Sequence, residues 1–253
     1  MKIMTKILIA VTIVTIGLSC PFVATAAPQQ LTDGDIAHLI FMRSEEKLAR
    51  DVYLTLGAMY PNMPVFHNIA CRAEQTHTEQ INGLFDKFNI SEMDPEPDTV
   101  TVDGCPDPLP VPPDIIGKFG SGNDIFKEYF ENKYNNLIME AGVGELEAAL
   151  VGALIEELDM KDINDCNDVI YEKFSAVVEC GLTVTDVRAL ENTLGNLLAG
   201  SENHLCAFIS QIGPMIYPEC YEQQYLTQQE VWDIIDAQCS EFSDFVCKPL
   251  QQP

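Results

Sequence analysis

Four widely separated stretches carry side chains of types that bind metals. Glu74 and His77 stand three residues apart in "CRAEQTHTEQ". Glu46 lies in "RSEEKLARD", Glu156 and Asp159 lie in "IEELD", and His204 lies in "SENHL". On a helix, positions i and i+3 share a face, so Glu74 and His77 can reach one centre. Carboxylate and imidazole donors together suit iron or manganese, and the lack of a thiolate cluster disfavours an iron–sulfur centre. Each residue alone has an ordinary explanation. A lone Glu-x-x-His is usually a solvated helix face, Glu46 can pair with a base one turn on, and a histidine on an apolar face is usually a hydrogen-bonded core residue. The joint pattern carries more weight, because carboxylates rarely enter a core without a partner. Several converging carboxylates repel one another unless a cation or a proton stands among them.

Helices must position these residues, and the hydrophobic spacing predicts four long ones. Over residues 36–56, Leu39, Met42, Glu46, Ala49, Tyr53 and Leu56 recur at threes and fours and share one face. Glu46 is the acid on that face, although Glu45 is an equally possible inward residue. Tyr53, one heptad after Glu46, is read as a core tyrosine that could adjoin the centre. Pro61 and Pro64 end this helix. A second helix over 65–88 carries Phe66, Ala70, Ala73, Ile81, Leu84 and Phe88, with Glu74 and His77 in the same line. The third, over 145–163, is apolar on most sides, as a buried helix should be. Its register leaves Glu156 and Glu157 as alternatives, because Glu157 aligns with Ala153 and Met160. The fourth, over 184–212, sets Ser201 and His204 in line with Leu190, Leu194, Leu197 and Phe208. Shorter helices are expected over 124–141 and 169–178, and "LTQQEVWDIIDAQC" predicts an amphipathic helix packed against the rest. "DINDCNDVIYEK" superficially suggests a calcium loop but lacks the sixth-position Gly and the twelfth-position Glu.

Residues 1–26 read as a secretory signal peptide: Lys2 and Lys6 precede an apolar run, and Ala24-Thr25-Ala26 fits a cleavage site. The expected organisation is therefore a leader (1–26), an all-α domain (27–212) and a C-terminal extension (213–253). A proline-rich, acidic connection occupies residues 89–113 and contains the sequon Asn89-Ile90-Ser91. Eight cysteines remain once Cys20 leaves with the leader, and an even number in an exported chain points to disulfides. Cys166 and Cys180 bracket the 169–178 helix and could close it. Cys71 is read as a disulfide or core thiol, not as a ligand. The net charge of −25 repels phosphate backbones and so argues against nucleic-acid partners, while it attracts cations. No membrane partner is expected after leader removal; secretion or a periplasmic location is.

The blocks "FMRSEEKLARDVY", "AEQTH", "VGALIEELDMKDI" and "LLAGSENHLCAF" occur in order. Across residues 31–212 they resemble the signature blocks of a ferritin-like family known mainly as a domain of unknown function. The wider arrangement resembles the ferritin-like di-iron carboxylate bundles, which take a Glu from each of two helices and Glu-x-x-His from the other two. The resemblance implies a ferritin-like four-helix bundle around a di-iron or manganese centre. Glu46 would be the first-helix carboxylate, Glu74 the bridge, His77 a terminal ligand, Glu156 the third-helix carboxylate, Asp159 a ligand or a support for one, and His204 the terminal imidazole. The sequence departs from the pattern at Ser201, where the fourth helix would carry a Glu. Glu202 or Asp159 would have to compensate, or the site would be asymmetric. Metal-dependent redox chemistry, such as ferrous oxidation or peroxide reduction, is the leading expectation. The alternatives are a non-enzymatic metal-binding or iron-acquisition protein and a disulfide-stabilised helical domain without a redox metal.

Overall fold

The computed structural model describes residues 30–91, 115–120, 125–177 and 179–249. The expected leader and the proline-rich connection from residue 92 onward lie outside them. The described residues are helical, with no strand beyond an isolated bridge between Tyr221 and Val246.

Helix α1 (Asp33–Met59) begins at a capping box. The Thr32 hydroxyl accepts the Asp35 amide at 3.0 Å, and the Asp35 carboxylate accepts the Thr32 amide at 2.9 Å. The helix stops ahead of Pro61. Residues 65–88 do not form the single regular helix that the spacing predicts. They divide into α2 (Pro64–Ile69), a π-helical turn (Ala70–Glu74) and α3 (Gln75–Phe88), which ends at Asn89 in the left-handed conformation. The wider turn adds a residue and rotates the chain beyond it, so Glu74 and His77 take their direction from the bulge and not from the phase of Phe66.

Helix α4 (Lys127–Ala141) is followed by α5 (Glu145–Asn164), and then by α6 (Asp168–Lys173), capped by Asn167 and shorter than expected. Helix α7 (Arg188–Ile216) starts and ends four residues later than its apolar line suggests. Its late start follows from a turn at Gly181, whose φ of 105° favours glycine and whose carbonyl accepts the Val184 and Thr185 amides. Helix α8 (Gln228–Gln238), with a Thr227–Glu230 capping box, and a 3₁₀ turn (Ser240–Phe245) make up the C-terminal part.

Helices α1, α3, α7 and α5 contact one another in a closed ring, with the α5–α7 contact the most extensive. Gly152 permits that approach, since a Cβ there would lie 2.3–2.6 Å from atoms of the Phe208 ring. Tyr53, Phe66 and Phe208 form an aromatic cluster inside the ring, with centroids 5.3–6.1 Å apart. Helix α8 and the 3₁₀ turn pack on α7. Disulfides join Cys166 to Cys180, Cys206 to Cys239 and Cys220 to Cys247, and Cys71 is also disulfide-bonded. Bridges of this kind fit an oxidising, extracytoplasmic environment. Among the described residues, no helix is long and apolar enough to cross a membrane.

Candidate metal centre

The polar residues of α1 are buried on two sides of the helix. Arg43, Glu45, Glu46, Lys47, Arg50 and Asp51 are all buried. Asp51 pairs with Lys47 and Arg50 and accepts the Gly117 amide at 2.8 Å, while Arg50 donates to the Gln75 side chain at 2.9 Å. These bases are engaged with Asp51 and Gln75, and the surface i,i+4 explanation for Glu46 does not apply.

Glu46 points to the other side. Its Oε2 lies 3.1 Å from His77 Nδ1, which is 3.3 Å from Glu74 Oε2. Across the ring, His204 Nδ1 lies 2.9 Å from Glu74 Oε1 and 3.3 Å from Glu156 Oε2. Two triads result: Glu46, Glu74 and His77, and Glu74, Glu156 and His204. Within each, the ligand atoms lie within 4.8 Å of one another. Glu74 belongs to both and turns one carboxylate oxygen to each. The two imidazole rings face each other at 5.7 Å. Glu46 Oε1 is buried without a hydrogen-bond partner, a costly arrangement for a carboxylate oxygen unless a cation takes it up, and Glu74 Oε1 is paired with His204 alone.

The electrostatics carry the same imbalance. Burial alone would lower His77, but Glu46 and Glu74 outweigh it and push it up to about 12. Burial also opposes the charge on His204, and Glu156 and Glu74 push it up to about 10. Burial would raise Glu74, yet His204 and His77 hold it well below the usual carboxylate range. Burial raises Glu46 to about 8 against the pull of His77, and it raises Glu156 as well. Protons on the two imidazoles thus balance the carboxylates, and a metal ion would displace them on binding.

The alternatives left open on α5 and α7 are resolved. The Tyr53 hydroxyl donates to Glu156 Oε1 at 2.5 Å, which leaves Glu156 Oε2 facing His204. Glu157 points the opposite way. It accepts the Tyr221 hydroxyl at 2.6 Å and the amides of Gln224, Tyr225 and Leu226 at 2.8, 2.5 and 2.9 Å, and so anchors the C-terminal segment. Nothing in the helix phase foretold that role, since the partners lie more than 60 residues away. Glu202 does not turn inward; it accepts the Gln238 side chain at 3.1 Å. Ser201 donates to Asp159 Oδ2 at 2.5 Å. Asp159 stands outside both triads, with its Oδ1 unpartnered. Burial, and then Glu46 and Glu45, raise it well above its ordinary value. Gly200, just before Ser201, makes room for a ligand: a Cβ there would meet His77 Cε1 and Nε2 at 2.6 Å.

Comparison with known proteins gives relatives of the same kind and no activity. Over 216 residues the chain is 32% identical to the uncharacterized protein MJ0754 of Methanocaldococcus jannaschii, covering 85% of this chain and 94% of that one. The crystal structure of hypothetical protein MJ0754 from that archaeon aligns with a TM-score of 0.61 at 31% identity, covering 84% of this chain and 98% of the other. Residues 35–105 and 113–238 match the family described as an uncharacterized protein domain, DUF2202, so the shared unit runs past α7 and includes α8. The chain belongs to the DUF2202 family.

Proposed function

We propose that this is an exported ferritin-like protein holding a pair of iron ions, with manganese as the alternative metal, and that its function is metal-dependent redox chemistry such as ferrous oxidation or peroxide reduction. The observation that carries the reading is the pair of buried triads sharing Glu74. The order of donors supports a ferritin-like bundle: a carboxylate on α1, Glu-x-x-His at the α2–α3 turn, a carboxylate on α5 and an imidazole on α7. Glu46 and His77 would hold one ion, Glu156 and His204 the other, and Glu74 would bridge them. Asp159, held by Ser201, would stand in for the missing fourth-helix carboxylate. Oxygen and imidazole donors without thiolate suit iron and manganese. When bound, such a pair supplies electrons to dioxygen or peroxide.

The chain's own residues have separable tasks. Tyr53 fixes the rotamer of Glu156, Ser201 fixes that of Asp159, and the Tyr53–Phe66–Phe208 cluster excludes water from one end. His77 and His204 are the most exposed members of the two triads, at 7% and 9%, so access to the centre runs between α3 and α7. Mature protein loaded anaerobically with ferrous iron and then exposed to air tests the proposal. Rapid formation of Fe(III) with an oxo-bridge absorption band, lost in Glu74→Ala, supports it. Stoichiometric binding without oxidation would leave a metal-binding protein, and no binding would leave a helical domain without a redox metal.

A further inference from the structure

The segment that follows α7 builds a groove against α5 and the end of α7. Leu150, Ile216, Tyr221, Glu219 and Glu222 line it beside the Cys220–Cys247 disulfide, and its volume is about 530 Å³. Its walls are tied from several directions. The Tyr221 hydroxyl donates to Glu157 at 2.6 Å and the Tyr221 amide to the Phe245 carbonyl at 2.6 Å. The Cys247 amide donates to the Tyr221 carbonyl at 3.1 Å, and the Gln224 side chain to the Leu150 carbonyl at 3.0 Å. The groove therefore exists before any partner arrives, which lowers the ordering cost of binding. Beside its lining residues along the chain stand Met215, Tyr217 and Tyr225, 40%, 74% and 53% exposed. Tyrosine and methionine are side chains that protein interfaces favour.

The charge around the groove has one sign. No lysine or arginine occurs between Lys133 and Lys161 or between Arg188 and Lys248. The Lys248 ammonium lies over the Trp232 ring, 5.6 Å from its centroid. Glu219 and Glu222 are exposed, and among the described residues neither forms an ion pair. A second copy of this chain, with its net charge of −25, would meet repulsion here, as would an anionic lipid surface. We propose that the groove docks a basic segment of another polypeptide. Its apolar side chains would enter between Leu150, Ile216 and Tyr221, and its lysine or arginine side chains would pair with Glu219 and Glu222. The surface involves neither histidine triad, so it stands or falls independently of the redox reading.

A short fluorescent peptide alternating lysine and leucine is the probe, titrated with the mature chain by anisotropy. Oligolysine of equal charge is the comparison. The alternating peptide should bind saturably and more tightly than oligolysine, because only it fills the apolar groove. Glu219→Lys with Glu222→Lys should weaken its binding about ten-fold, and Tyr217→Ser should do the same. All three side chains are exposed, so the variants should keep the wild-type melting temperature. Glu172→Lys with Glu179→Lys makes the same change of charge at exposed positions beyond the far end of α5 and should leave the affinity nearly unchanged. Equal losses in the two charge-reversed pairs would mean general attraction to an acidic surface and would overturn the proposal. So would equal binding of oligolysine, or no saturable binding at all. Dimerisation of the chain in sedimentation, lost in Tyr217→Ser, would assign the face to a second copy and overturn it too.

Discussion

Gly200→Ala separates the geometry of the centre from the stability of the helix that carries it. The new methyl carbon would sit 2.6 Å from His77 Cε1 and Nε2. Non-bonded carbon contacts settle near 3.5–4.0 Å, so the ring must retreat by about 1 Å or α7 must move away by as much. The retreat pushes Nδ1 out of its position 3.1 Å from Glu46 and 3.3 Å from Glu74. Metal–ligand distances tolerate only about 0.2 Å. Affinity at the Glu46–Glu74–His77 position should therefore fall by about 10–100-fold, the usual cost of disturbing the support of a ligand. Gly195 supplies the control, because a Cβ there meets nothing within 4 Å. Gly195→Ala should stabilise α7 by about 0.5–1 kcal/mol through helix propensity alone and leave metal binding unchanged. Competition titration with a chromophoric chelator, alongside thermal unfolding of both variants, reads the two effects. Wild-type affinity at both positions in Gly200→Ala would refute the placement of His77 as a ligand.

Other perturbations probe the same geometry. Tyr53→Phe removes the donor to Glu156 Oε1; it should cost about 1–2 kcal/mol of stability and weaken the Glu156–His204 position about ten-fold, measured by unfolding and metal titration. Glu157→Ala leaves the Tyr221 hydroxyl and three backbone amides without their acceptor; a loss of about 3–5 kcal/mol is expected by urea unfolding, with metal stoichiometry unchanged. After chelator treatment, stability should fall as the pH rises. His204 and His77, pushed up to about 10 and about 12, bind protons in the folded chain that the unfolded chain gives up above about 6.5. Their stabilisation is complete below that pH and is lost as the pH climbs through the folded values, by about 1.4 kcal/mol per unit for each proton. Glu46, raised to about 8, acts in the same direction at lower pH. Melting temperatures between pH 6 and 9 should decline for the stripped protein, and added metal should abolish the decline.

Much of this arrangement is legible in the sequence because the hydrophobic spacing is strong. Glu46 sits between Met42 and Ala49, and His204 between Leu197 and Phe208, so a helical period alone turns both inward. The spacing could not show the π-turn at Ala70–Glu74, because a bulge changes the period at the positions where the ligands sit. It also could not choose between Glu156 and Glu157. Helix α5 is buried on nearly all sides, and the choice rests on Tyr53 and on the backbone around Gln224, both distant in sequence. Ser201 was visible as a departure from the expected pattern, but its bond to Asp159 depends on how α5 and α7 approach at Gly152.

Metal stoichiometry of the mature chain, by anaerobic ferrous titration with elemental analysis, tests the central claim most directly. The shared Glu74 predicts two ions per chain at the histidine triads, and none there in Glu74→Ala, because both triads lose a ligand at once. Full binding by Glu74→Ala, or no bound metal in the wild-type chain, would contradict the account.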